Sequence, residues 1–181
     1  TINLKASKKI NGSFFKKKKL ILKLTSIGRL TEQKDFLKLL KSINVLKNKI
    51  NMKVAIVGKG SEKMNLQSYI NSNNLSSIVK LIGYKKNIYP YIKWSDAFIL
   101  SSKYEGLPNV LLEALSLNKL VISSKCSTGP KEILMNGKVG ILFKVGDYKK
   151  LSKIILNYSN KKFLKPKSHL IEKSLKKYDL K

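Results

Sequence analysis

Residues 105–113 read Glu-Gly-Leu-Pro-Asn-Val-Leu-Leu-Glu, and this stretch is the most informative part of the 181-residue chain. Pro108 is acceptable at the first position of a helix, and the apolar-rich run 110–117 predicts that a helix follows. Side chains on a helix lean toward its N-terminus, so Glu113 can reach the site that Glu105 approaches from the loop. The stretch therefore predicts two carboxylates beside the free N–H groups of a helix start.

This predicted helix start suits an anion that is flanked by hydroxyl groups. The N–H groups and the positive end of the helix dipole can hold a diphosphate, while the carboxylates accept hydrogen bonds from sugar hydroxyls. The loop residues expected to face phosphate and sugar, with backbone N–H donors everywhere except at proline, are Gly106, Leu107, Pro108 and Asn109.

The rest of the chain alternates short apolar strands with helical stripes. Strands are predicted over residues 20–27, 53–57, 79–82, 97–100, 120–123 and 140–143. Helices are predicted over 35–50, 62–70, 108–117 and 130–135, with another after Asp147 and a last one over 168–177. Such alternation gives an α/β fold, a Rossmann-like parallel sheet with helices on both faces. Ligands bind beyond the carboxyl ends of such strands, where we expect Gly28, Gly58, Gly83, Ser102 and Ser124.

Composition predicts one globular domain with short additions at both ends. The hydrophobic content of 43% agrees with a buried core, and no stretch approaches the roughly 20 apolar residues that span a bilayer. We expect an interdomain linker remnant over residues 1–19, the domain itself over 20–159 and a helical tail over 160–181. A single cysteine, Cys126, excludes an internal disulfide, and a single histidine, His169, cannot build a metal cluster by itself.

The net charge of +28 is compatible with nucleic acid, an anionic membrane surface or an acidic substrate as the partner. Of the 38 basic residues only Arg29 is an arginine, whereas base readout usually draws on arginine's bidentate donors. We therefore expect no nucleic-acid partner, and we interpret the lysines as compositional. Peripheral contact with an anionic membrane remains compatible with the charge.

Several motifs along the chain together resemble the retaining GT-B glycosyltransferases of family 4, also called glycosyl transferases group 1. In order, these motifs are Gly28-Arg29-Leu30 with Lys34, the turn 57–60, Leu81-Ile82-Gly83, the stretch 101–109 and the stretch 129–134. The resemblance covers residues 20 to 150. It implies the C-terminal, donor-binding domain, which is one half of a GT-B fold, without indicating which sugar is transferred.

The resemblance also implies roles for single residues. Arg29 and Lys34 would contact the donor diphosphate and neutralise it as it leaves. Glu105 would bind hydroxyls of the transferred sugar and stabilise positive charge on its anomeric carbon, while Glu113 would hold the ribose hydroxyls. The backbone around the strand ends at Gly28, Ile82 and Gly83 completes the donor site.

Three further residues, Asp35, Lys59 and Tyr84, lie within or directly beside these motifs. The family usually has glycine where this chain has Asp35, and a carboxylate so near the phosphate pocket would weaken it unless it points away to cap the next helix. Tyr84 either stacks on the base or covers the core. The turn around Lys59 is interpreted as structural, with Lys59 bordering the donor site.

As a function, the resemblance implies transfer of a hexose from a UDP-sugar to a hydroxyl acceptor with retention, without a metal or another cofactor. Cell-envelope polysaccharide or lipid-linked glycan assembly is the expected context, in the cytoplasm or at the inner face of the membrane. We expect the N-terminal GT-B domain, with the acceptor site, to be missing from this chain. The alternative is a truncated nucleotide-binding module that needs a separate N-terminal half.

Overall fold

A computed structural model of the chain describes residues 10, 12–15, 21–160 and 168–178. Six strands form one sheet, namely β1 (Leu22–Ile27), β2 (Met52–Val57), β3 (Val79–Gly83), β4 (Ala97–Leu100), β5 (Leu120–Ser124) and β6 (Ile141–Phe143). Their spatial order is β3-β2-β1-β4-β5-β6, and every neighbouring pair is parallel. The predicted Rossmann-like α/β fold is therefore confirmed.

Helices cover both faces of this sheet. They are α1 (Phe36–Leu46), α2 (Lys63–Ser72), α3 (Tyr89–Trp94), α4 (Asn109–Ser116), α5 (Pro130–Ile133), α6 (Tyr148–Ser159) and α7 (Ser168–Lys176). Apolar side chains of α1, α2 and α6 pack on one face, and those of α3, α4, α5 and α7 pack on the other. Because both faces are covered, successive side chains of the inner strands are buried, which explains their nearly continuous apolar runs.

The order of the strands fixes where a ligand crevice can form. The chain runs outward from β1 through β2 to β3 and then returns, so that β4 lies on the other side of β1. The loops after β1 and β4 therefore leave the sheet in opposite directions. Sheets of this kind bind ligands at that switch point, beyond the carboxyl ends of the strands.

Some helix boundaries differ from the sequence predictions. Helix α4 begins at Asn109, and Pro108 precedes it as an extended N-cap residue with φ −77° and ψ 91°. The prediction that Pro108 occupies the first helical position is wrong by one residue, because its carbonyl already accepts the N–H of Leu111 at 2.9 Å. Helix α1 ends at Leu46, whose carbonyl accepts the N–H groups of Lys49 and Ile50 in a closing turn.

The structure also contains short turns that the sequence did not predict. Helix α3 was not predicted, and it spans only six residues with Pro90 in its first turn. After α5, a single 3-10 turn at Met135–Gly137 follows, where Asn136 has a left-handed φ of 56°. The predicted helix over 130–135 therefore stops at Ile133.

The regions predicted as linker and tail contribute packed elements. Ser13–Phe15 forms a 3-10 turn whose buried Phe15 lies against Tyr91 and Trp94 of α3. The helix predicted over 168–177 is found as α7, and Ser174 donates a hydrogen bond to the carbonyl of Ile133 at 2.5 Å. The remainder of 1–19, apart from residues 10 and 12, lies outside the described residues, as do 161–167 and 179–181. The domain boundaries stay predictions.

Candidate active site

An ion pair between Lys34 and Glu105 lies at the switch point of the sheet. The Nζ atom of Lys34 is 2.5 Å from Oε1 of Glu105, and the two side chains are 13% and 6% exposed. The residues are 71 positions apart in sequence, one in the loop after β1 and the other in the loop after β4. The fold thus brings together two of the three residues predicted to be catalytic.

The path of Lys34 depends on the absence of a side chain at Gly28. A Cβ atom at Gly28 would lie 3.2 Å from Cε of Lys34 and would crowd its stem. Lys34 ends the 3-10 turn Glu32–Lys34, and its carbonyl accepts a hydrogen bond from Ser101 at 2.9 Å. Gly28 therefore leaves room for the stem of Lys34 beside this strand end.

Asp35 occupies the N-cap position of α1, as expected, but with a left-handed φ of 46° and without a side-chain capping bond. The residue is buried, and burial raises the pKa of its carboxyl, against the opposing effect of nearby lysines that include Lys103. Its side chain lines a cavity of about 260 Å³ with Thr31 and Phe36. Asp35 thus takes the predicted place without the predicted bond.

Hydroxyl groups hold Glu105 from two sides. The hydroxyl of Ser102 donates to Oε1 of Glu105 at 2.5 Å, and that of Thr128 donates to the Glu105 backbone carbonyl at 2.6 Å. The carbonyl of Ser102 in turn accepts hydrogen bonds from Ser124 at 2.7 Å and from the thiol of Cys126 at 3.4 Å. The loops after β4 and β5 are therefore joined around the carboxylate.

Glycine packing supports the same loop. A Cβ at Gly129 would lie 1.8 Å from the carbonyl oxygen of Gly106, and Gly129 has a φ of 70°. The segment around Gly129 thus forms a wall behind the loop. In front of that wall Gly106, Leu107 and Asn109 are exposed, whereas Pro108 is buried.

Arg29 lies beside the loops after β2 and β3. It is exposed at the carboxyl end of β1 and lines a cleft of about 280 Å³ with Gly28, Lys59 and Tyr84. Nζ of Lys59 lies 5.4 Å from the centre of the Tyr84 ring, within the range of a cation–π contact. The cleft therefore brings the cations Arg29 and Lys59 together with the exposed ring of Tyr84, next to Gly28.

The predicted backbone contacts at Ile82 and Gly83 directly precede Tyr84, which lines this cleft. The β2–β3 pairing joins Ile56 to Leu81 and Val57 to Gly83, so Ile82 is an extra residue in a β-bulge. Gly83 has a φ of 78° and its carbonyl accepts the N–H of Gly58 at 2.9 Å. A bulge frees backbone groups from the regular ladder, which suits recognition by backbone atoms.

The turn around Lys59 has the structural role that its sequence suggested. A Cβ at Gly58 would lie 1.8 Å from the carbonyl oxygen of Gly28, and one at Gly60 would lie 2.3 Å from that of Leu30. Neither contact leaves room for a side chain. The glycines therefore let the loops after β1 and β2 pack directly against each other.

Glu113 lies partly buried on α4 and is hydrogen-bonded to the hydroxyl of Tyr89. Burial raises the pKa of Glu113, while the bond from Tyr89 opposes that rise. Burial and the neighbouring Glu113 also raise the pKa of Tyr89. Sequence reasoning missed Tyr89 because α3, which carries it, gave no helical pattern.

Cavity size alone would not locate this site. A larger cavity of about 410 Å³ is lined by residues 47–53, which run into the start of β2, and by residues 77–78, which precede β3, at the amino edge of the sheet. None of the predicted site residues lies there. The convergence of charged and hydroxyl groups at the carboxyl edge is therefore the better guide.

The remaining chemically active side chains lie apart from this convergence or are buried. Cys126 is buried, and burial raises the pKa of its thiol. His169 is exposed on α7. Within the described ranges, no group of three His, Cys, Asp or Glu side chains is placed to hold a metal ion. In the same part of the chain, no helix is long and apolar enough to cross a bilayer.

This chain is therefore an α/β domain of the class that binds ligands in a crevice, because its parallel sheet has charged groups at the switch point. Comparison with known families then identifies the particular group. The chain belongs to the family described as glycosyl transferases group 1, whose model matches residues 6–177. The predicted membership of glycosyl transferases group 1 is therefore confirmed.

Several curated relatives are similar in sequence to this chain. An uncharacterized glycosyltransferase of Methanocaldococcus jannaschii is 49% identical over 110 residues, covering 60% of this chain and 27% of the relative. The amylovoran biosynthesis glycosyltransferase AmsD of Erwinia amylovora is 38% identical, covering 62% and 32%. A Campylobacter jejuni N-acetylgalactosaminyltransferase whose name includes diphospho-undecaprenol is 31% identical, covering 67% and 33%. The chain spans about a third of these relatives or less.

Solved glycosyltransferases share the fold. The apo form of the lipopolysaccharide outer core galactosyltransferase WaaB superposes with a TM-score of 0.76 at 23% identity, covering 87% of this chain and 45% of that one. The pneumococcal O-GlcNAc transferase GtfA, in complex with UDP and GlcNAc, superposes with a TM-score of 0.77 at 18% identity, covering 87% and 32%. Both likenesses agree with the expectation that the chain forms one half of a GT-B fold.

Proposed function

We propose that this chain is the C-terminal, donor-binding domain of a family 4 retaining glycosyltransferase, which transfers a hexose from a UDP-sugar to a hydroxyl acceptor. The observation that carries the proposal is the Lys34–Glu105 pair at the switch point of the sheet. Its ammonium suits a diphosphate and its carboxylate suits sugar hydroxyls. The ion pair thus contains both groups that a nucleotide sugar needs, a cation for its diphosphate and a hydrogen-bond acceptor for its sugar hydroxyls.

Lys34 and Arg29 supply the positive charge for the leaving diphosphate. Both belong to the loop after β1, Lys34 buried against Glu105 and Arg29 exposed toward the cleft with Tyr84. Negative charge grows on the diphosphate as the glycosidic bond breaks, so cations fixed in advance stabilise the transition state. With two such cations, we propose that the reaction requires no metal.

Carboxylates hold the sugars on either side of the diphosphate. Glu105 accepts hydroxyls of the transferred hexose and stabilises positive charge on its anomeric carbon, while Glu113 accepts the ribose hydroxyls. Retention follows from a front-face reaction in which the leaving phosphate oxygen deprotonates the acceptor. That route needs no carboxylate nucleophile on this domain.

The nucleotide and the pathway are proposed from the relatives. Two structural neighbours, the O-GlcNAc transferase GtfA and Anabaena HepE, are described in complex with UDP. The names of similar sequences refer to amylovoran and lipopolysaccharide core biosynthesis. We therefore propose a UDP-sugar donor and a glycan or lipid-linked acceptor of the cell envelope. The proposed place of action is the cytoplasm, in peripheral contact with anionic lipid at the inner face of the membrane.

A second candidate is a nucleotide-binding module that has no transferase activity alone. The 181 residues span between 27 and 33% of the three sequences above, so transferase activity of these residues by themselves is a separate question from donor binding. The two candidates share the donor site and differ in turnover. Both place the acceptor site on a separate domain, so we expect weak donor binding and little or no transfer by the 181-residue chain itself.

Calorimetric titration of the chain with UDP, GDP and ADP tests the donor site. We expect selective binding of UDP, weakened roughly tenfold by Glu113→Ala, because a charged hydrogen-bond acceptor for the ribose is lost. Glu172→Ala is the matched control, since Glu172 is exposed on α7 and carries the same charge. If both substitutions weakened UDP binding equally, the change in net charge would explain the effect and no contact of Glu113 with the ribose would be needed. Absence of binding to all three nucleotides would contradict the proposal.

A further inference from the structure

The two donors to the carboxylate of Glu105 share one oxygen. Lys34 Nζ and Ser102 Oγ each lie 2.5 Å from Oε1. No described residue donates a hydrogen bond to Oε2. A carboxylate offers about four lone-pair positions, so Oε2 keeps its full capacity to accept hydroxyl groups. Oε1 of Glu105 is therefore held by the protein, whereas Oε2 is open to a ligand.

Ser102 is itself fixed from behind. It is fully buried two residues after the end of β4, and its carbonyl accepts hydrogen bonds from Ser124 and Cys126 on the neighbouring β5 side. Thr128 fixes the Glu105 main chain at the same time. Held at both its backbone and its side chain, the Glu105 carboxylate has little rotational freedom.

The two donors differ in what a diphosphate would do to them. The ammonium of Lys34 carries three donors and is attracted to any phosphate that enters the crevice. The hydroxyl of Ser102 is buried and neutral, so a phosphate does not draw it away from Oε1. When Lys34 is shared with the ligand, Ser102 is the donor that still fixes the orientation of Glu105.

We propose that Ser102 is a positioning residue, which holds Oε1 of Glu105 so that Oε2 accepts a hydroxyl of the donor hexose. The inference rests on the proposed function, because it names the support of the sugar-binding half of that site. It assigns Ser102 to the affinity for the sugar and not to the affinity for the nucleotide. Orientation of this kind lowers the entropy that the site loses when the sugar binds.

Paired titrations with UDP and with UDP-hexoses test this role. The probes are UDP-glucose, UDP-galactose and UDP-N-acetylglucosamine, of which the tightest-binding one is used. We expect Ser102→Ala to weaken that UDP-hexose roughly tenfold while leaving the affinity for UDP unchanged, since a hydrogen bond to a charged group is lost at the sugar alone. Ser42→Ala is the control, because Ser42 is equally buried but bonds only the carbonyl of Leu39 within α1.

A double-mutant cycle shows whether Ser102 acts through Glu105. We expect Ser102→Ala to have no further effect on UDP-hexose binding in a Glu105→Gln background. Equal weakening of UDP and UDP-hexose, an unchanged UDP-hexose affinity or a full effect in the Glu105→Gln background would each overturn the inference. Intact UDP binding in Ser102→Ala shows that the variant is folded. Failure of the unsubstituted chain to bind UDP would instead overturn the proposed function, and the inference with it.

Discussion

At the scale of single residues, the Lys34–Glu105 ion pair is the main feature of this site, and it depends on a few residues that support it. Taking two charges out of water is costly, and it is repaid only where the geometry is good and further hydrogen bonds satisfy the remaining groups. Ser102 supplies one such bond, and Gly28 leaves room for the lysine stem. The pair is therefore a prepared site for opposite charges, in which a ligand's phosphate and hydroxyls can take over part of the pairing.

Glu113 gives a prediction on pH and stability. Burial raises its pKa in the folded chain above the ordinary value of 4.5. The folded state then holds the proton more tightly than the unfolded state, so the free energy of unfolding falls as pH rises from about 4.5 through the raised pKa. We expect Glu113→Gln to remove this loss, so that the variant matches the original chain at low pH and exceeds its stability at pH 7. Denaturant unfolding across this pH range measures the difference.

The comparison between the two chains isolates Glu113 from other buried acids. Asp35 also has a pKa raised by burial, but it is present in both chains and cancels in the difference. Glu172→Gln, at an exposed position, serves as the control and is expected to leave the curve unchanged. A Glu113→Gln variant less stable than the original at pH 7 would show that the bond from Tyr89 outweighs the cost of burial.

At the scale of elements, the turn Ser13–Phe15 and helix α3 form one packed unit. The rings of Phe15 and Trp94 lie 5.1 Å apart, and the indole N–H of Trp94 donates to the Phe15 carbonyl at 3.1 Å. We expect Phe15→Ala to lower the free energy of unfolding by about 3 kcal/mol, because it removes a buried aromatic side chain. Trp94 is the single tryptophan, so its emission should also shift to longer wavelength as water reaches the indole.

A substitution outside this unit provides the comparison. Leu37→Ala removes a side chain that is 37% exposed on α1 and should leave the emission of Trp94 unchanged, with a smaller loss of stability. If Phe15→Ala altered neither stability nor emission, the turn would not pack on α3 in solution. Residues 13–15 would then behave as part of the predicted linker and not as a packed element of the domain.

The elements that the sequence predicted well are those with strong local patterns. All six strands lie within two residues of their predicted bounds, because buried parallel strands are short apolar runs. Helix α3 was missed because a six-residue segment that contains Pro90 has too few turns to show a helical period. The start of α4 was misplaced by one residue, since proline fits both the N-cap and the first turn.

At the scale of the whole molecule, the site was predictable in its charged residues but not in its supports. Glu105 and Lys34 fall in recognisable motifs, whereas the role of Thr128 arises from a contact with a residue 23 positions away. The bond between Ser124 and the Ser102 carbonyl spans 22 positions in the same way. Contacts between neighbouring strand ends depend on sheet order, which local patterns do not specify. Serine and threonine at strand ends are the signal that could have revealed them.

The net charge of +28 gives the last prediction, which concerns the surface as a whole. Each lysine near an anionic bilayer contributes about 1 kcal/mol of attraction, and salt screens it over a Debye length of about 8 Å at physiological ionic strength. We expect the chain to sediment with vesicles containing phosphatidylglycerol and not with vesicles of phosphatidylcholine alone. Binding should fall steeply as salt is raised. Sedimentation that is equal for the two lipid compositions would exclude electrostatic docking on the membrane and leave the lysines as a compositional feature.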